Sequence, residues 1–329
     1  MRSNILWNVS SVVVLVAVTA GLGRGDTFQV ELTTQESLGI AREVEPISGG
    51  VPLPPGVFKA NQSFTLLDDG GNEDPCQTSP LVLDTDGTLL WLLLDFQDDL
   101  AAGGTNRYVL RSGTASANSA AILEIDDNDR RVSVDSGETT IAVDKRKPFG
   151  LLDSVTRGDK PVISGGQVSY VQMQGRKGWD DTSMWRPQTF TAGVPESVEL
   201  CYAGPLRVTI EISGRFTDDP LGASYKTWIT TWAGTTRVHV KYKICNSNPD
   251  RYTAILVNRS TIELELADRQ GPVLLGANEP LTATGDAWLH QGLFLHHTYQ
   301  DIAGAVTAGS DGRTIWTGNG PQDKPSGWI

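Results

Sequence analysis

Three of the chain's 4 histidines fall in one short stretch, WLHQGLFLHHTYQD, residues 288–301. Leu289, Leu293 and Leu295 share one parity, so the stretch reads as a strand, with His297, Tyr299 and Asp301 following on that same face. Successive members would stand about 6.6 Å apart at their Cα atoms, near enough for the phenol to bridge to either neighbour directly or through water. An imidazole that titrates near neutrality, a phenol able to move a proton and a carboxylate to orient one of them make a general acid–base set. They are poorly spaced as ligands of a single metal ion, since His297 and Asp301 would lie about 13 Å apart. The same three residues would equally suit the solvated end of a strand that does no chemistry.

A second pattern lies in RVHVKYKI, residues 237–244. Val238, Val240, Tyr242 and Ile244 alternate with Arg237, His239, Lys241 and Lys243, so one strand face is apolar and the other basic. Such a stripe could cradle the carboxylates of an acidic sugar polymer, or it could be the charged rim that keeps an edge strand from aggregating. Just upstream, Trp228 and Trp232 share one parity and could form a platform for stacking sugar rings, or could be two core residues.

Other chemistries are absent. The sequence holds no GxSxG, GxxxxGK[ST], HExxH or GxGxxG pattern. A calcium loop could start at Asp127, with Asp129 at its third position and Glu138 at its twelfth. It fails where Arg131 takes the fifth position and Val132 the sixth, which needs glycine. Asp126 to Asp129 therefore read as a solvated acidic turn, and neither a metal nor an organic cofactor is expected. Cys76, Cys201 and Cys245 match no zinc or redox spacing; they suit buried small apolar groups, or one bridge between Cys201 and Cys245.

These residues need strands to hold them. Phe28, Val30 and Leu32 alternate with polar neighbours, as do Val208, Ile210 and Ile212, while LLWLLL (89–94) is apolar on both faces and reads as a central strand. With 35 Gly and 17 Pro spread along 329 residues, turns recur throughout; Asp69-Gly70-Gly71, Gly103-Gly104, Gly165-Gly166 and Asp311-Gly312 are read as such. No amphipathic helix of useful length follows the N-terminus. The small polar run SGTASANSA (112–120) marks a boundary between a module at 26–113 and a larger one at 114–329.

Arg2, the apolar run VVVLVAV (12–18) and the small residues Ala20, Gly21, Gly23 and Gly25 read as an export signal over residues 1–25, with an uncleaved anchor as the alternative; the run is short for a membrane span and is soon followed by Arg24 and Asp26. The expected location is secreted, periplasmic or at the cell surface. The formal net charge is −12; removing residues 1–25 takes away Arg2 and Arg24 and no acid, leaving 25 cations against 39 acids and a charge of −14. That balance argues against nucleic acid as a partner.

The ordered set of motifs resembles one family. GGVPLPPGVF (49–58), DTDGTLLWLLLDFQ (84–97) and Tyr108-Val109-Leu110 are similar to the N-terminal RIFT-type barrel of the exo-rhamnogalacturonan lyase-like (PcRGLX/YetA-like) family. AGPLRVTIEISGRF (203–216), WITTWAGTTRVHVKY (228–242) and TYQDIAG (298–304) resemble its middle β domain, in the same order. The resemblance implies an all-β chain, a small RIFT-type β barrel followed by a larger antiparallel β-sandwich. It also implies an acidic plant-type polysaccharide as partner and β-elimination at a galacturonate of the pectin backbone. His297 or Tyr299 would serve as base, and Lys241 or Arg237 would neutralise the carboxylate. The family's helical toroid would follow these domains, so the chain is expected to be a fragment or a reduced member. The rival expectation is a non-catalytic carbohydrate-binding or scaffold module.

Overall fold

The computed structural model describes residues 28–113, 123–174, 186–250, 255 and 257–267 with their side chains, Asn258 excepted. It adds the backbone of strands at 5–9, 12–17, 273–275, 281–283, 289–295, 302–308 and 313–319. Among these residues the protein is all-β, with no helix. Nor, therefore, is any described helix long and apolar enough to cross a membrane.

The chain divides into two compact units, residues 1–265 and 266–329. The first unit holds two separate hydrophobic cores. One takes its buried side chains from residues 28–110, in a part of the chain whose strands are β1 (Ile5–Val9), β2 (Val12–Ala17), β3 (Gln29–Glu36), β4 (Arg42–Pro52), β5 (Phe64–Asp68), β6 (Glu73–Asp74), β7 (Cys76–Leu83), β8 (Leu89–Leu100) and β9 (Thr105–Ser112). They form two sheets, in the orders β1-β2-β3-β9-β5-β6 and β4-β8-β7. The alternation expected of β3 holds, since Phe28, Val30 and Leu32 turn inward to meet Leu66 and Leu110 from one sheet and Leu92, Leu94 and Phe96 from the other. The LLWLLL run opens β8, which lies between β4 and β7. In backbone terms the apolar run near the N-terminus is β2, antiparallel to β3 with Val12 opposite Glu36.

The second core belongs to β10 (Glu124–Asp127), β11 (Arg131–Asp135), β12 (Thr140–Asp144), β13 (Ser154–Arg157), β14 (Lys160–Gln174), β15 (Arg186–Thr191), β16 (Ser197–Cys201), β17 (Arg207–Arg215), β18 (Ala223–Trp232), β19 (Val238–Asn246) and β20 (Val257–Leu266). Strands β10 to β15 follow one another in a sheet that β20 joins at β14, and β16 to β19 form a second, four-stranded sheet. Val132, Ile141, Val168 and Tyr170 of one sheet pack on Val208, Ile210, Ile212 and Tyr225 of the other, which makes this part a β-sandwich. The remaining strands, β21 (Val273–Leu275), β22 (Leu281–Ala283), β23 (Leu289–Leu295), β24 (Ile302–Ala308) and β25 (Arg313–Asn319), lie in the second unit, as a pair β21-β22 and a sheet β23-β24-β25.

Two expectations are corrected. Gly165-Gly166 is not a turn but lies inside β14. A Cβ on Gly166 would come 2.4 Å from the Gly150 carbonyl oxygen and 2.6 Å from that of Glu263, so glycine is needed there for backbone to meet backbone. The Cys201–Cys245 bridge is also excluded: all three thiols are free. Strands β17 and β18 stand between the two cysteines, so three strand spacings, about 14 Å, separate them across the sheet alone, more than any disulfide spans.

Candidate functional site

Strand β18 alternates because one face enters the sandwich core and the other leaves it. Tyr225, Thr227 and Ile229 are buried, while Lys226, Trp228 and Trp232 are only half-buried. Cross-strand register builds the outer face in rows. Glu199, Glu211, Trp228 and Lys241 form one row across β16 to β19, and Ser197, Ser213, Lys226 and Lys243 form the next.

The Trp228 indole is fixed by its Nε1–H, which donates to Glu211 Oε2 at 2.7 Å. The other carboxylate oxygen of Glu211 takes the ammonium of Lys226. This pairing holds the Glu211 carboxyl below the usual carboxylate range and raises Lys226 above the usual lysine value. Lys226 Nζ and Lys241 Nζ lie 5.2 and 5.4 Å from the centre of the Trp228 ring, within cation–π range. Lys243 sits directly opposite Lys226, and like charges so placed destabilise a sheet by a few tenths of a kcal/mol or more. Two carboxylates, Glu211 and its cross-strand neighbour Glu199, thus face a group of three lysines beside one half-buried indole. His239, Lys241 and Lys243 are exposed, while Val238, Val240, Tyr242 and Ile244 pack against the core, as the alternation requires.

The structure separates other residues from this group. Arg237 lies just before β19, and its Nη2 is 2.6 Å from Glu45 Oε2 of β4, so its charge is already answered. Trp232 shares the face of Trp228 but sits four residues along, opposite Arg207, with its Nε1–H unpartnered among the described residues. At about 13 Å of separation the two rings do not form one platform. Of the histidine-bearing stretch the described part is β23, whose last residue, Leu295, pairs antiparallel with Ile302 of β24. His297, Tyr299 and Asp301 lie outside the described residues. The expected acidic turn is corrected in part: Asp126 and Asp127 are the last two residues of β10, and cations answer them, Asp127 pairing with Lys145 and Asp126 with Arg131 at 3.6 Å.

Sequence reading missed a second feature, a cleft of about 740 Å³ lined by Asp68, Asp69, Asp74, Asp98 and Asp99 with Tyr108. Its signal was present in two acid-rich runs, DDGGNEDP (68–75) and DFQDD (95–99), but only the pairing of β7 with β8, with Cys76 opposite Phe96, brings them together. Asp98 is buried and accepts hydrogen bonds from Thr34, from Asn106 Nδ2 at 2.7 Å and from the Tyr108 hydroxyl at 2.7 Å. Burial, reinforced by the charges of Asp98, Asp68 and Asp99, pushes the Asp74 carboxyl up to about 6. Asp74 can therefore hold a proton in weakly acidic solution. No three of the described His, Cys, Asp and Glu side chains stand together as a metal site. The sign of this cleft opposes an anionic ligand, whereas that of the lysine patch invites one.

A scan against protein-family models gave no match, and a search of curated proteins gave none.

Proposed function

We propose that this is an exported carbohydrate-active protein that holds an acidic, uronate-bearing polysaccharide on the outer face of β17 to β19. The observation that carries this reading is the placing of Lys226 and Lys241 against the Trp228 indole, with Glu211 paired to Lys226 and Lys243 directly opposite Lys226. A sugar ring can lie against the accessible part of the half-buried indole while its carboxylate meets Lys241 and Lys243, relieving the repulsion between Lys243 and Lys226. Residues 1–25 act as the export signal in this reading, and the N-terminal module is read as a RIFT-type barrel.

Binding to homogalacturonan and rhamnogalacturonan, measured by isothermal titration against neutral galactan, tests the proposal. Trp228→Ala and the double variant Lys241→Ala/Lys243→Ala are each expected to weaken binding at least tenfold. Equal affinity for the neutral polymer, or no loss in either variant, would overturn it. The β-elimination implied by the family resemblance falls to His297, Tyr299 and Asp301. Absorbance of the unsaturated uronate product measures it, and His297→Ala is expected to abolish the signal while leaving polymer binding intact.

A further inference from the structure

The outer face of the β4-β8-β7 sheet carries a polar row where an apolar or solvated one would be simpler. Ser48, Asp95 and Gln77 stand side by side across its three strands. Their neighbours Ile47 and Phe96 point the other way into the first core. Yet Asp95 and Gln77 are not solvated, with 1% and 6% of their surfaces exposed. What covers them is the segment 202–207 at the start of β17, from the part built on the second core.

The fit there uses every polar atom of one side chain. Gln77 Nε2 donates to the carbonyls of Tyr202 (2.6 Å) and Arg207 (3.1 Å), and Gln77 Oε1 accepts from the backbone N–H groups of Leu206 (3.1 Å) and Arg207 (2.9 Å). A side-chain amide thus takes the place of a strand partner. Gly204 makes room for it, since a Cβ at that position would lie 2.3 Å from the Gln77 amide carbon. Arg207 Nη1 donates to Ser48 Oγ and Asp95 Oδ1, both at 2.8 Å, and the guanidinium lies 5.2 Å from the Tyr202 ring centre. Two further contacts flank the row: Gln97 Nε2 donates to the Ala233 carbonyl at 2.6 Å, and Arg237 pairs with Glu45.

The hydrophobic clusters on either side stay separate, so neither module lends the other its core. The modules are held by directed polar contacts, each of which water could replace if they parted. We infer that these contacts form a specific and reversible docking interface between the two modules, sufficient to hold them together without the covalent link between Gly113 and Leu123. Shape supplies the specificity at Gly204, and the Arg207 pair with Asp95 sets the register.

The test uses the full chain with a protease site inserted between Gly113 and Leu123, cleaved after folding. The nicked protein should elute from a sizing column as one species at micromolar concentration. Gln77→Ala and Arg207→Met should each raise the dissociation constant of the two pieces at least tenfold, whereas Arg130→Ala, at an exposed residue away from the junction, should not change it. Ser48→Ala, which removes a single hydroxyl, keeps the test in place if either larger change prevents folding, with an expected loss of about threefold. Separation of the nicked parent protein at micromolar concentration would overturn the inference. So would dissociation constants for the junction variants within experimental error of the parent's.

Discussion

Asp74 shows how much a single carboxyl can depend on neighbours that are distant in sequence. It ends a two-residue strand, yet burial and the charges of Asp98, Asp68 and Asp99 push it to about 6, where an unfolded aspartate titrates near 3.9. The folded state therefore binds the extra proton as pH falls through about 6, while the unfolded chain waits until about 4. Above pH 6 the ionised group destabilises the fold, and that cost fades between pH 6 and 4. Because the side chain is only half-buried, solvent screening reduces the effect to the order of 1 kcal/mol. Asp74→Asn should accordingly raise the melting temperature at pH 7 by a few degrees and lose that advantage by pH 4. Glu36 shows the opposite sign. Its carboxylate accepts the N–H groups of Gly103, Leu38, Gly39 and Ile40, which lowers its pKa, Gly103 contributing most. Its stabilising part is present above the unfolded value near 4.3 and is lost on further acidification. Thermal unfolding followed from pH 3 to 8 separates the two: Asp74→Asn flattens the profile between about pH 4 and 6, and Glu36→Gln flattens it below about pH 4.

Strands were the most legible elements, because a half-buried strand writes its two faces into alternate residues. Val208, Ile210 and Ile212 are fully buried, and His239, Lys241 and Lys243 are exposed, as their parity requires. Contacts made at long range were not legible. The glycine pair at 165–166 has the composition of a turn, but the reason for it is that β14 passes close to Gly150 and to β20, which no local pattern reveals. The positions of Cys201 and Cys245 fit a bridge in one dimension, and only the sheet order places two strands between them. Asp95 and Gln97 look like the polar end of an apolar strand, whereas their partners, Arg207 and Ala233, lie more than a hundred residues away. Of the proposed binding patch, the basic stripe and the parity of Trp228 could be read directly. The role of Glu211 could not, since it depends on β17 pairing with β18 so that Glu211 faces Trp228. The close approach at Gly166 has a measurable consequence. Gly166→Ala forces a methyl group against two carbonyl oxygens and should destabilise the sandwich by about 1–3 kcal/mol, read as a lower denaturant midpoint at unchanged slope. An unchanged midpoint would mean that the two backbones can part at no cost.

At the scale of the whole molecule the charge works against the proposed ligand. A net charge of −12, or −14 once residues 1–25 are removed, repels a polyanion, while Lys226, Lys241 and Lys243 attract it. The two effects have different ranges. At about 0.01 M salt the Debye length is roughly 30 Å, so an approaching polymer feels the summed negative field; at about 0.1 M it is roughly 10 Å, and the patch dominates; near 1 M it is about 3 Å, and the patch too is screened. Affinity for homogalacturonan should therefore rise from 10 mM to about 100 mM salt and fall again toward 1 M. A nucleic-acid-type surface gives a monotonic decline instead. Titrations at 10, 100 and 500 mM sodium chloride distinguish the two. A decline beginning at the lowest salt would place the binding on a broader positive surface than these lysines provide, and a salt-independent affinity would leave stacking on Trp228 as the main interaction.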